Sequence, residues 1–453
     1  MLVVAAVCVA GLLAPALALF FAGIPSRRDA LLIAGAIGGS LIIAATEWML
    51  LGTPTDIAVF QGAIVSVAVA VIVSVGLRAG PVPGQLVFAG LWTVLVLVPV
   101  GYAVFDVVRG PLAISFGTLD FGGVGIIGLS TGTAAIAIAL VSRRQGNAVG
   151  GWPRRGLIVF AAVAIAAVIG WIAVDVGSEL VLDAVTGQLV LNELLAAAAG
   201  IVGWVGAQVV NVHRANVAGF VAGITAGSVV ILPASPWLEP GSVIVLGIAA
   251  GILGHVSAVA ARRSGTGRWA TVIGVLLVPG VMGYFAIGVV AKGSGLIFSG
   301  HADLVIAQVA GLGSVLAYSL VVSLLLAVVI DRTIHLSGSS RVVDETLVRL
   351  YSAYNAREIH HVLAAVHPDV EWPGSSPDVV VHGKDALLEH WARLWTESSP
   401  IVTPLRSKRL RGGLIRVDVH QVVSDLTGAV LTDELVTHTF RERDGLLDRM
   451  IAT

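Results

Sequence analysis

The chain has 453 residues, of which 57% are hydrophobic and 12% charged, with a formal net charge of −1 and a mean hydropathy of +0.94. That composition lies far outside the range of soluble globular proteins and carries no basic signature of a nucleic-acid partner. The single Cys8 excludes an intramolecular disulfide and a cysteine-based metal site.

Charge divides the chain in two. Residues 1–331 hold 25 Asp, Glu, Lys and Arg side chains, and the remaining 122 residues hold 30. A bilayer core of roughly 30 Å needs about 20 apolar residues per helix. Eleven segments meet that length, at about 3–23, 30–51, 57–77, 85–105, 121–142, 156–176, 186–210, 216–233, 241–260, 269–291 and 304–330. The first lacks a basic n-region, and Arg27 and Arg28 follow it, so it reads as a span and not as a cleaved signal.

The loops orient these segments. Odd-numbered loops hold Arg27, Arg28, Arg78, Arg143, Arg144, Arg154, Arg155, Arg214, Arg262, Arg263 and Arg268; even-numbered loops hold only Arg109 and Lys292. The bias predicts cytoplasmic odd loops, an N-terminus outside and a cytoplasmic C-terminal domain. Acids including Glu47, Asp106, Asp120, Asp175 and Glu193 collect at or near the opposite ends. They form either a cation-concentrating mouth or simply the residue of arginine exclusion.

Small residues three or four apart in Ala36-Ile-Gly-Gly-Ser40, Gly219–Gly227 and Gly247–Gly251 predict close helix crossings. Glu47, Asn192, Glu193 and His255 fall within or near apolar segments, where ionisable groups mark candidate functional sites. Glu47 and Glu193 are therefore candidate polar pore groups, and His255 reads as structural or interfacial.

After a short linker, about 336–342, residues 343–453 change character. Helical spacing over 344–362, near 358–366 and over 386–396 precedes alternating runs at 402–411, 414–423, 429–440 and 446–451. Turn signals stand at 425–428 and 443–445. Helices followed by an antiparallel sheet predict a soluble α+β domain. Asp418 and His420, two apart on one strand, share a face and are candidates for acid–base work.

Several stretches resemble one family, the ammonium transporters. They are Pro15-Ala-Leu-Ala-Leu-Phe-Phe-Ala-Gly23 before Arg27-Arg28, Phe60-Gln-Gly-Ala63, Leu119-Asp-Phe-Gly-Gly123, Gly170-Trp171 with Gly177-Ser178, and Tyr318-Ser-Leu-Val-Val-Ser323 before Ile330-Asp331. The resemblance spans about 1–335. It implies eleven transmembrane helices, built as two inverted five-helix repeats plus one, in a homotrimer with a pore through each subunit. It further implies recruitment of ammonium at an outer aromatic site and passage of ammonia past a histidine pair. Shedding the hydration of an ammonium ion is costly, and cation–π contacts offset part of that cost.

By this resemblance Phe60, Phe105 and Asp120 are the recruitment residues, with Phe105 at the family's tryptophan position. Ile64 and Val190 stand at the gate phenylalanines, Thr271 at the family's aspartate, and Gly128 and Leu276 at the two pore histidines. The scaffold is retained and the imidazole relay is missing.

Leu350-Tyr-Ser-Ala-Tyr-Asn-Ala356, His367-Pro-Asp-Val-Glu-Trp-Pro373, His382-Gly383 and Asp444-Gly-Leu-Leu-Asp-Arg-Met450 resemble SnoaL-like domains of the nuclear-transport-factor-2-like type. The resemblance implies a cone-shaped fold around a pocket, with Tyr351, Trp372, His390, Trp391 and His438 as pocket candidates. Three functions follow as alternatives: a plasma-membrane channel for ammonium or a similar small solute, regulated by an unidentified ligand of the cytosolic domain; a non-conducting membrane sensor; or a membrane-anchored SnoaL-like enzyme. No cofactor and no metal is expected, and the lipid bilayer is the constant partner.

Overall fold

The computed structural model describes residues 1–453 except 24, 106–109, 143–156, 214, 335, 337–344, 375–378, 411–413, 427–429, 444–445 and 453. Asp106, Arg109, Arg143, Arg144, Arg154, Arg155, Arg214, most of the expected linker and parts of both turn signals lie outside the described residues. The chain forms two compact units, Met1–Gly338 and Ser339–Thr453.

The first unit is helical, and a helix satisfies its own N–H and C=O groups within one apolar segment. Among the described residues nine helices are long and apolar enough to cross a membrane: α1 (Leu2–Ala22), α2 (Arg27–Leu50), α3 (Thr55–Gly76), α4 (Val82–Phe105), α6 (Leu157–Ser178), α7 (Thr186–Val212), α9 (Pro240–Arg263), α10 (Trp269–Val290) and α11 (Asp303–Thr333). Two shorter apolar helices, α5 (Gly125–Val141) and α8 (Val217–Ile231), complete the chain order. The helix starts are chemically marked. Ser26 accepts the Asp29 N–H at 3.1 Å, and Asn216 accepts the Gly219 N–H at 2.8 Å, each capping a first turn.

α3 is central, with every residue from Gly62 to Gly76 buried. Two of the three small-residue stretches do make close crossings. A Cβ at Gly227 on α8 would stand 2.0 Å from the Ala196 carbonyl oxygen on α7, and one at Gly251 on α9 would stand 2.4 Å from the Gly200 oxygen. The third does not: Gly38 and Gly39 on α2 face open space within the subunit.

The uniform helices expected from apolar runs are interrupted. π-helical turns occupy Val9–Leu13 in α1, Thr93–Leu97 in α4, Gly125–Ser130 in α5 and Ile273–Leu277 in α10. Hydropathy is blind to them, since each inserts one residue into the ladder without changing its apolar character.

The second unit contains α12 (Glu345–Asn355), α13 (Ile359–Ala364), β1 (Val366–Pro373), β2 (Val380–His382), α14 (Lys384–Glu397), β3 (Ser399–Arg409), β4 (Leu414–Ser424), β5 (Val430–Arg443) and β6 (Leu446–Ala452). One sheet has the order β2-β1-β6-β5-β4-β3. The expected helices-then-antiparallel-sheet order needs correction. β1 and β2 stand between helices, and β1 pairs in parallel with β6. Two prolines hide β1 in the sequence, yet Val366, Val370 and Trp372 turn inward and hold it in the core.

Candidate functional site

A cavity of about 600 Å³ opens where the loop after α2 meets α3, α4 and the segment leading into α5. Phe60 and Ile64, one turn apart on α3, share a face and line it, with Trp48 from α2 and Tyr102 and Phe105 from α4. Phe121 and Trp237 close one side, edge to face at 6.0 Å. The wall is thus largely aromatic, the surface that best offsets the desolvation of a cation. Gln61, Thr53, Thr118 and Ser178 supply its polar atoms. Gly101 makes room for Trp48, whose ring would lie 2.5 Å from any Cβ there. Sequence reasoning named Phe60, Ile64 and Phe105 but missed Trp48, Tyr102, Phe121 and Trp237. These come from separated segments, and no spacing rule links them.

Asp120 is the one carboxylate among the described residues lining the cavity. Its charge is directed at the backbone: Oδ1 accepts the Val124 N–H at 2.8 Å and Oδ2 the Gly125 N–H at 2.7 Å. These are donors that the start of α5 would otherwise leave unpaired. The geometry makes Asp120 a positioning residue for α5 on the wall of the cavity. Gln308 on α11 clamps the same segment, donating to the Leu119 carbonyl at 2.8 Å and accepting its N–H at 3.0 Å.

Below the cavity the walls converge. A Cβ on Gly123 would meet Phe105 at 2.7 Å and Ile64 at 3.3 Å, so both side chains press on one glycine. Ile64 ends the cavity wall, and Val124, Gly128 and Leu276 are buried. Gly128 and Leu276, which resemblance alone matched to the family's histidines, lie against each other. A Cβ at Gly128 would lie 3.1 Å from the Leu276 carbonyl oxygen, 2.9 Å from Val124 Cγ2 and 3.4 Å from the Gly280 Cα. Both positions fall in π-helical turns, on α5 and on α10. Such turns cluster at functional sites. The contact here is made by backbone and by aliphatic carbon.

The remaining membrane candidates lie apart from this line. Val190 is half-buried on α7 and off the cavity wall, and Glu47 is half-buried on α2, also off the wall. Glu193 is fully buried and accepts a hydrogen bond from Ser228 Oγ. His255 is buried edge to face with Trp204 at 5.5 Å, a packing role.

In the second unit Tyr351, Trp372, Trp391 and His438 belong to one hydrophobic core with Phe440. Trp372 and Trp391 meet edge to face at 5.2 Å, and Trp372 tilts on Phe440 at 5.8 Å. Tyr351 OH and His438 Nδ1 form a buried 2.8 Å hydrogen bond. Burial pushes the Tyr351 hydroxyl above the usual phenol range and drives His438 down to about 4, so the imidazole is neutral near pH 7. His390 is half-buried on α14, its pKa lowered by partial burial and by Arg393.

The Asp418–His420 pair needs correction. His420 Nε2 meets Asp433 Oδ1 across the sheet at 2.6 Å, and Asp418 lies 3.8 Å from Arg416. Ile415, Val417 and Val419 alternate with them and turn into the core, so Asp418 and His420 occupy the other face of β4. Aromatic interior and acid–base pair therefore stand on opposite sides of the sheet. Sharing a face was correctly legible, but which face was not.

Nine membrane-length helices among the described residues, an aromatic cavity and a separate sheet domain define a polytopic membrane protein. The family model of the Ammonium Transporter Family matches residues 28–345. An ammonium transporter of Mycobacterium tuberculosis is 28% identical over 294 residues, covering 58% of this chain and 61% of the relative. The crystal structure of Candida albicans Mep2 superposes with a TM-score of 0.62 at 22% identity, over 74% of this chain and 84% of that one. A structure titled Sensor Amt Protein gives a TM-score of 0.63 at 19% identity, over 75% of this chain and 94% of that one. The chain belongs to the ammonium transporter family. It spans about three fifths of the length of the mycobacterial relative.

Proposed function

We propose that the protein is a channel for ammonium and ammonia, or a similarly small solute, in which an aliphatic constriction replaces the imidazole relay. The observation that carries this reading is the aromatic cavity leading down to Ile64, with the Gly128–Leu276 contact beneath it. Aromatic faces suit a cation at the mouth, and an apolar constriction suits only the neutral molecule beyond it. The mycobacterial relative is named an ammonium transporter, which favours the same substrate.

The wider reading accompanies it. Eleven helices in two inverted five-helix repeats plus one are supported by the matching π-helical turns of α5 and α10, fifth in each half. A homotrimer would cover the open glycine face of α2. Arginine bias supports a plasma-membrane orientation with the N-terminus outside. The second unit is read as a cytosolic SnoaL-like, cone-shaped domain that regulates the channel through a small ligand.

A non-conducting sensor is the second reading. Ile64 and Leu276 are almost fully buried, at 1% and 0% exposure, which leaves the line beneath the cavity packed. Purified protein in liposomes, assayed for ammonium and methylammonium uptake, separates the two. Uptake well above protein-free vesicles supports the channel, and uptake equal to theirs sinks it in favour of the sensor.

A further inference from the structure

Asp175 on α6, one turn before the cavity-lining Ser178, and Glu193 on α7 are both fully buried, and Ser235 links their helices by bonding both Asp175 and Asn192, the neighbour of Glu193. Each has one satisfied oxygen. Asp175 Oδ2 accepts from Ser235 Oγ at 2.8 Å, and Glu193 Oε1 accepts from Ser228 Oγ. The other oxygen of each, Asp175 Oδ1 and Glu193 Oε2, has no donor. Neither has Oδ1 of the fully buried Asn192, which precedes Glu193 and donates to the Ser235 carbonyl at 2.9 Å. Three acceptors on three residues with no exposure have no protein donor, and a protonated carboxyl among them supplies one.

No positive group near the pair offsets it among the described residues. α8 carries no ionisable side chain, and α1 carries only Cys8. On α9, His255 packs on Trp204, eleven residues and about 16 Å along α7 from Glu193. Arg262 and Arg263 lie further still along α9, at its end. Glu239 pairs with Lys292 at 3.3 Å, and Glu179 accepts from Thr186 at 2.6 Å. Two carboxylates buried in one such cluster, in a low-dielectric interior, cannot both stay ionised.

The geometry points to a protonation site: Asp175 and Glu193 hold one proton between them, one as the acid and one as the carboxylate, at the junction of α6, α7 and α8. Taking up a second proton neutralises the pair, and losing the shared one leaves two anions and forces the junction apart. The membrane body thereby carries a proton-responsive element separate from the Gly128–Leu276 line.

Infrared difference spectroscopy of the full chain in liposomes, titrated from about pH 4 to about pH 9, reads this directly. Two acids sharing a proton titrate in two separated steps. The wild type is expected to lose its protonated-carboxyl stretch in two steps. Asp175→Asn and Glu193→Gln, which keep shape and hydrogen-bonding capacity, are each expected to show one. A carboxyl signal unchanged by both substitutions, or constant across the range, overturns the proposal. If one variant does not fold, the other still decides. The readout needs no conduction, so a failed uptake assay leaves the pair standing, and a failed titration leaves the channel reading untouched.

Discussion

Acidification should destabilise the C-terminal domain through one residue. His438 is 5% exposed and held by Tyr351 OH at 2.8 Å, and burial lowers its pKa from 6.5 to about 4. Between those values the unfolded chain binds more protons than the folded one. The stabilisation is therefore complete above about pH 6.5 and is lost as pH falls towards 4. Taking the two values at face value, the domain loses about 2 kcal/mol on going from about pH 7.5 to about pH 5. Pulse proteolysis of the full chain across a urea gradient, following survival of the C-terminal fragment, measures that loss. His438→Gln, which keeps a partner for Tyr351 and cannot titrate, should remove most of the pH dependence. Equal urea midpoints at the two pH values, or the same fall in the variant, would refute the reasoning.

Other expectations follow from single contacts. Tyr351→Phe strands His438 Nδ1 in the core and should cost about 1–3 kcal/mol in the same assay at neutral pH. Asp120→Asn offers one acceptor oxygen to two backbone donors, Val124 and Gly125. A loss of about 1–3 kcal/mol is expected, seen as a lower melting temperature in detergent. Gly227→Val forces carbon into the Ala196 carbonyl and should destabilise by about 1–3 kcal/mol or more. Gly39→Ala, facing open space, should leave the melting temperature of the isolated subunit nearly unchanged. Gly128→Ala presses on the Leu276 carbonyl and Val124 and should lower both melting temperature and any measured ammonium uptake.

The long apolar runs determined by themselves that the first unit is built of membrane-length helices, because a helix satisfies its backbone polar groups within one segment where lipid offers no partner. Glycine spacing likewise marked α8 and α9 for close crossings, since small residues allow backbone contact, while the fold decided that both meet α7. The same spacing on α2 was silent about its partner: a small-residue face says that something can approach, not what does. Phe60, Ile64 and Phe105 were legible through ordered motifs, whereas Trp48 and Trp237 joined them only through folding. Hydropathy could not show the π-helical turns that bring Gly128 against Leu276, because an extra residue in a helix leaves composition unchanged. Nor could it pair Asp175 with Glu193, eighteen residues and one loop apart. On β4, alternation put Asp418 and His420 together, but only the packing of Ile415, Val417 and Val419 decided that they face away from the aromatic core. Periodicity belongs to one strand or helix; which side is inside depends on everything packed against it.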